Sequence, residues 1–99
     1  MTTEQMQQLA RERIIELLEA VHINDSYKSI CDRAAERGHK LSSSTLYAIT
    51  NKERYPNIYI SAYTAYALAD LYRQPVGYLL GCEDKPQGMF AKFASKIFG

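Results

Sequence analysis

Ninety-nine residues, 46% of them hydrophobic and 23% charged, make a chain the size of one small domain, too apolar for intrinsic disorder and too often interrupted by charge for a bilayer span. The N-terminus lacks a basic start followed by an apolar run, and Cys31 and Cys82 stand outside any CxxC pattern, so a cytoplasmic protein with reduced thiols and no membrane partner is expected. The net charge of +1 excludes neither nucleic acid nor protein as a partner, because the distribution of charge matters more than its total.

Over residues 3–21 the apolar positions Met6, Leu9, Ala10, Ile14, Leu17, Leu18 and Val21 recur at intervals of three and four, the stripe of an amphipathic helix with its Arg and Glu residues opposite. The pattern breaks over 22–26, where Asp25 or Ser26 can cap a second helix running through Tyr27, Ile30, Cys31, Ala34 and Ala35. Gly38 is placed to end it. After His39 and Lys40, Leu41 and the run Ser42-Ser43-Ser44-Thr45-Leu46-Tyr47-Ala48-Ile49-Thr50-Asn51 read as a third helix with Ser42 as N-cap. Leu46 and Ile49, at i and i+3, face the core with Leu41 as a staple-like contact, leaving Ser43, Ser44, Tyr47 and Asn51 outward. Solubility alone would choose Glu, Lys and Gln on that face, so the small hydroxyl residues give up helix propensity for another purpose.

Pro56 forces Tyr55 out of helical geometry and marks 52–57 as a loop. Ile58-Tyr59-Ile60 is either a strand fragment or the entry to a fourth helix over 61–72, in which Ala62, Ala65, Tyr66, Ala69 and Tyr72 share a face with Leu68 beside it. Tyr63, Tyr66, Tyr72 and Tyr78 are assigned to core or rim, where a ring is buried and a hydroxyl reaches water. Gln74-Pro75 ends the fourth helix, and 76–81 forms a short fifth helix closed by Gly81. Beyond a polar break at 82–87, Met89, Phe90, Phe93, Ile97 and Phe98 make the apolar face of a last helix with Lys92 and Lys96 on the other side. Left bare, such a patch marks an interface. These residues are assigned to contact between two copies, with packing on their own domain as the alternative. The predicted architecture is all-α: a five-helix domain over 1–81, then a linker and an amphipathic C-terminal helix over 82–99.

An enzyme is not expected. His22 and His39 sit at element ends without a second ligand at metal spacing, and HExxH, GxSxG and a phosphate-cradling glycine loop are all missing from the sequence. No metal or cofactor is implied. Residues 1–21 carry a net charge of −2, whereas 37–55 carry +3 from Arg37, Lys40, Lys52 and Arg54 against Glu53. A second helix, a short turn and a third helix with a small polar first turn suit the major groove of DNA, about 12 Å wide. Ser43, Ser44 and Tyr47 then lie toward base edges, with Lys40, Lys52 and Arg54 toward the backbone. Tyr55 borders the same face, and Lys28 and Arg33 are solvated charges or phosphate contacts.

The first helix, the opening Ser42-Ser43-Ser44-Thr45-Leu46, the pair Leu68-Ala69 and the closing Tyr78-Leu79-Leu80-Gly81 resemble the lambda-repressor-like helix-turn-helix family, of Cro and XRE type, over about residues 9–81. The resemblance implies five helices, of which the second and third form the DNA-binding unit. It also implies base contacts from Ser43, Ser44 and Tyr47 and a homodimer on a two-fold operator. The sequence departs from the family at Ser26, where a phosphate-gripping glutamine is common, and at Thr50-Asn51-Lys52, where Glu-x-Gly is common. It is also longer on both sides of the third helix. The expected DNA-facing set is Ser26, Lys28, Lys40, Ser42, Ser43, Ser44, Thr45, Tyr47, Asn51, Lys52, Arg54 and Tyr55 on double-stranded DNA. A protein-interaction module on the same scaffold, such as an antirepressor or a repressor's partner, is the alternative.

Overall fold

Residues 2–22 and 25–82 are described by the computed structural model. Among them the chain forms five α-helices and no strand: α1 (Thr3–His22), α2 (Tyr27–Glu36), α3 (Ser43–Thr50), α4 (Ala62–Tyr72) and α5 (Val76–Leu79). The expected final helix, with Met89, Phe90, Phe93, Ile97 and Phe98, lies outside the described residues. No helix among the described residues is long and apolar enough to cross a membrane.

Hydroxyl side chains start α1 to α4, whereas α5 begins after Pro75 with no side-chain cap. Thr2 and Gln5 form a reciprocal box at α1, each side chain bonding the other's backbone amide, at 3.1 and 2.8 Å. Ser26, Ser42 and Ser61 each accept the amide three residues on, from Ser29, Thr45 and Thr64, which satisfies one orphan donor and is worth about 1 kcal/mol per cap. The helix ends are equally local. Gly38, at φ +84°, turns the chain so that the His39 amide reaches back 2.9 Å to the Ala34 carbonyl. Gly81, at φ +80°, brings its backbone so close to α1 that a Cβ there would stand 2.8 Å from the Met6 carbonyl oxygen.

Packing assembles these pieces around α1, which meets α3 and α5, while α2 joins α3 to α4 and α4 meets α5. Among the described residues, the largest side chains shut off from solvent are Ile14, Leu17, Leu18, Ile30, Leu46, Ile49, Ile60, Leu68 and Leu79. Each contributes about 1.5–3 kcal/mol of apolar transfer free energy. Leu41, the expected staple, is half-buried against this cluster.

Three expectations are corrected. Arg11, grouped with the polar side of the first helix, is only 6% exposed; it precedes Ile14 by three residues and Leu18 by seven, which turns it to the core side. On α4 the buried set is Thr64, Ala65, Ala67, Leu68 and Ala69, so Ala62 and Tyr66 face outward instead of sharing the core stripe with Ala65 and Ala69. Tyr63 and Tyr66 are accordingly 85% and 55% exposed, neither core nor rim, whereas Tyr78 is buried and Tyr72 half-buried as expected. The segment 58–60 is not a strand; it leads into α4 at the Ser61 cap, the other of its two expected readings. A side chain takes the place of a neighbouring strand: Gln7 Nε2 donates to the Ile60 carbonyl at 3.2 Å, and the Ile60 amide donates to Gln7 Oε1 at 2.7 Å.

Candidate functional site

α3 has two sharply different sides. Leu46 and Ile49 are 0% and 1% exposed, whereas Ser43, Ser44 and Tyr47 face solvent, Tyr47 at 52%. At 100° per residue, Ser43, Ser44, Tyr47 and Asn51 fall on one side of the helix axis and the two aliphatics on the other. The helix is about 12 Å long by its rise. Small residues fill its first turn, where the Thr45 amide is taken by the Ser42 hydroxyl and the helix end carries partial positive charge.

Hydrogen bonds divide the expected site residues into two groups. Ser26 is exposed, but its hydroxyl oxygen is engaged as the α2 cap. Ser42 and Thr45 are likewise a capping pair, their hydroxyls 2.8 Å apart, with Thr45 half-buried. Ser43 Oγ donates toward Cys31 Sγ on α2 at 3.8 Å. Ser44 and Tyr47 therefore carry the outer face, extended by Asn51, whose Nδ2 donates to the Tyr47 hydroxyl at 3.4 Å while its Oδ1 accepts the Arg54 amide at 3.3 Å. The Arg54 guanidinium lies 5.7 Å from the centre of the Tyr55 ring, itself 38% exposed. The loop residues thus order one another beside the helix.

Charge around this face is narrower than the count over 37–55 suggests. Arg37 donates from Nε and Nη2 to the two carboxylate oxygens of Asp70 on α4, at 2.7 and 3.0 Å. His39 Nε2 lies 2.7 Å from the same carboxylate. These two partners, Arg37 first, hold the Asp70 carboxyl well below the usual carboxylate range. Arg33 is committed to Asp25 and to the Tyr72 hydroxyl, and burial, then the hydrogen bond to Asp25, raises the Tyr72 phenol above its ordinary value. Lys28, Lys40, Lys52 and Arg54 are exposed, and no ion pair among the described residues involves them. Lys40 precedes α3 and Lys52 and Arg54 follow it, so positive charge brackets the helix at both ends.

Sequence reasoning missed Arg11. Its Nε donates to the Ile49 carbonyl at 2.8 Å, Nη2 to that of Ala48 at 3.1 Å and Nη1 to that of Pro56 at 3.3 Å. The available signal was its register with Ile14 and Leu18, which places a lone arginine beside the core stripe. On the α1 side of Lys52 an open cleft of about 770 Å³ runs past Thr3, Glu4, Gln7 and Gln8 to Pro56, Asn57, Ile58 and Tyr59. No group of three or more His, Cys, Asp or Glu among the described residues is arranged to hold a metal ion. The arrangement supplies hydroxyl, phenol and amide hydrogen-bonding groups on a short helix between cations, which suits recognition of a polar, negatively charged surface. In comparisons with known proteins, the chain matches no protein-family model, no curated protein and no solved structure.

Proposed function

We propose that this protein is a sequence-specific DNA-binding regulator of transcription of the lambda-repressor-like helix-turn-helix kind. α2 and α3 form the DNA-binding unit, α3 enters the major groove, and two copies act as a homodimer that represses by occupying an operator. The observation that carries this reading is the orientation of α3: Leu46 and Ile49 are buried while Ser43, Ser44 and Tyr47 stand in solvent, between exposed Lys40 and exposed Lys52 and Arg54. A small polar first turn admits close approach to base edges, and the bracketing cations suit the two flanking phosphate strands.

Selection of bound sites from a random DNA pool tests it. A palindromic site with half-sites about 34 Å apart is the expected result. Ser44→Ala and Tyr47→Ala should each cost about 1–3 kcal/mol in preference for that site over random duplex, whereas Lys52→Ala should weaken both and flatten the salt dependence. No enriched site, or a Tyr47→Ala variant that discriminates as well as the parent, would count against the reading. The second reading, a protein-interaction module, is favoured by Tyr59, Tyr63 and Tyr66, which are 71%, 85% and 55% exposed before and along α4 rather than on α3. Loss of partner binding on Tyr63→Ala, with no DNA site selected, would favour it.

A further inference from the structure

α3 is poorly equipped to hold itself in place. Eight residues make a helix that is marginal alone. Only Leu46 and Ile49 anchor it apolarly, and its last turn contains no basic residue of its own. Two buried side chains fix which face of α3 turns inward, but non-directional apolar contact sets the exact rotation less sharply than hydrogen bonds do. The last carbonyls of a helix have no intrahelical partner. Here the Tyr47 carbonyl receives the Asn51 amide at 3.0 Å and the Thr50 hydroxyl at 3.0 Å, while those of Ala48 and Ile49 are taken by a residue from another helix, Arg11.

We infer that Arg11 is the positioning residue of the α3 surface: one buried guanidinium fork sets both the rotation of α3 and the place of the loop that follows it. Two of its donors grip the end of α3 and the third grips Pro56, so the stretch carrying Lys52, Arg54 and Tyr55 is closed at both ends onto α1. Three acceptors spread over two segments call for a planar fork; a lysine ammonium presents its protons from a single point. The cation also sits at the negative end of the α3 dipole, which favours it there although burial opposes its charge. The consequence for recognition rests on the DNA reading above. The geometric part does not.

The experiment compares the full chain with its Arg11→Lys variant by site selection and by amide hydrogen exchange. Arg11→Lys should lower preference for the selected site over random duplex about tenfold, while affinity for random duplex stays within about twofold. Exchange at the Asn51 and Tyr55 amides, bonded to the Tyr47 and Asn51 carbonyls, should quicken about tenfold more than exchange at Leu68 in α4. A uniform loss of protection would mean that Arg11 only stabilises the fold, and either that result or an unchanged site preference overturns the inference. If the unaltered chain selects no site, the DNA reading fails, and selective against uniform exchange at Asn51 and Tyr55 decides the role of Arg11 by itself. Should Arg11→Lys not fold, Arg11→Gln takes its place. In the unaltered chain the Arg11 Nε proton should exchange as slowly as the Asn51 and Tyr55 amides, and exchange orders of magnitude faster would overturn the inference without any variant.

Discussion

Helices α3 and α4 open with the same device. Ser42 and Ser61 each accept the amide of the third residue on, and each hydroxyl meets that of a threonine, Thr45 at 2.8 Å and Thr64 at 3.1 Å. From there they diverge. α4 runs for 11 residues and buries Thr64, Ala65, Ala67, Leu68 and Ala69, whereas α3 runs for eight and buries two. α4 is also latched to the end of α2 through Asp70, and α3 depends on a guanidinium supplied by α1. The difference separates two jobs. A helix that stabilises the domain maximises buried area, and one that displays a surface must leave its first turn bare and draw its support from elsewhere.

The strongest blow to this contrast is Leu68→Ala, which should cost about 3 kcal/mol and lower Tm by about 15 °C in a single cooperative transition, since α4 belongs to the shared core. Calorimetry checks it; a loss below about 1 kcal/mol would mean that α4 is not the anchor. The caps sharpen the contrast at about 1 kcal/mol each. Ser42→Ala should speed amide exchange at Thr45 and Leu46 without changing that of Leu68, while Ser61→Ala should act through global stability alone. Equal exchange patterns in the two variants would erase the distinction.

The Asp70 latch yields a pH prediction. Its folded-state value is depressed, Arg37 contributing more than His39. The stabilisation is therefore fully present above the unfolded value of about 4 and is lost as pH falls through the lower folded value. Asp70→Asn should flatten the acid limb of the stability curve, and an unchanged limb in urea titrations would show that the latch contributes nothing. The smallest effect is a gain. Arg73 closes α4 at φ 52°, a left-handed conformation that costs an ordinary residue about 1 kcal/mol or more. Arg73→Gly should thus raise stability by about 0.5 kcal/mol, since glycine's greater freedom in the unfolded chain offsets part of the relief. Chemical denaturation would detect it as a higher midpoint at unchanged slope.

Helix placement was legible because it rests on neighbours in the chain. Ser26, Ser42 and Gly38 act within a few residues of themselves, so the starts of α2 and α3 and the end of α2 fall where the motifs put them. The outward setting of Ser43, Ser44 and Tyr47 followed from the register of Leu46 and Ile49 for the same reason. The tyrosines of α4 were harder. A stripe of alanines gives no sharp hydrophobic direction, and only packing decides that Ala67 is buried and Tyr63 is not. The positive charge around α3 was overcounted because Arg37, one of the cations counted over 37–55, is paired with Asp70 across 33 residues.

Local chemistry was thus enough to write the order of helices, the starts of α2 and α3 and the polar side of α3, because capping and helical periodicity act over three or four residues. Which cations stay uncommitted, and what holds α3 by its far end, depends on groups 31 to 45 residues apart meeting in space. Those meetings exist only once α1, α3 and α4 share one core.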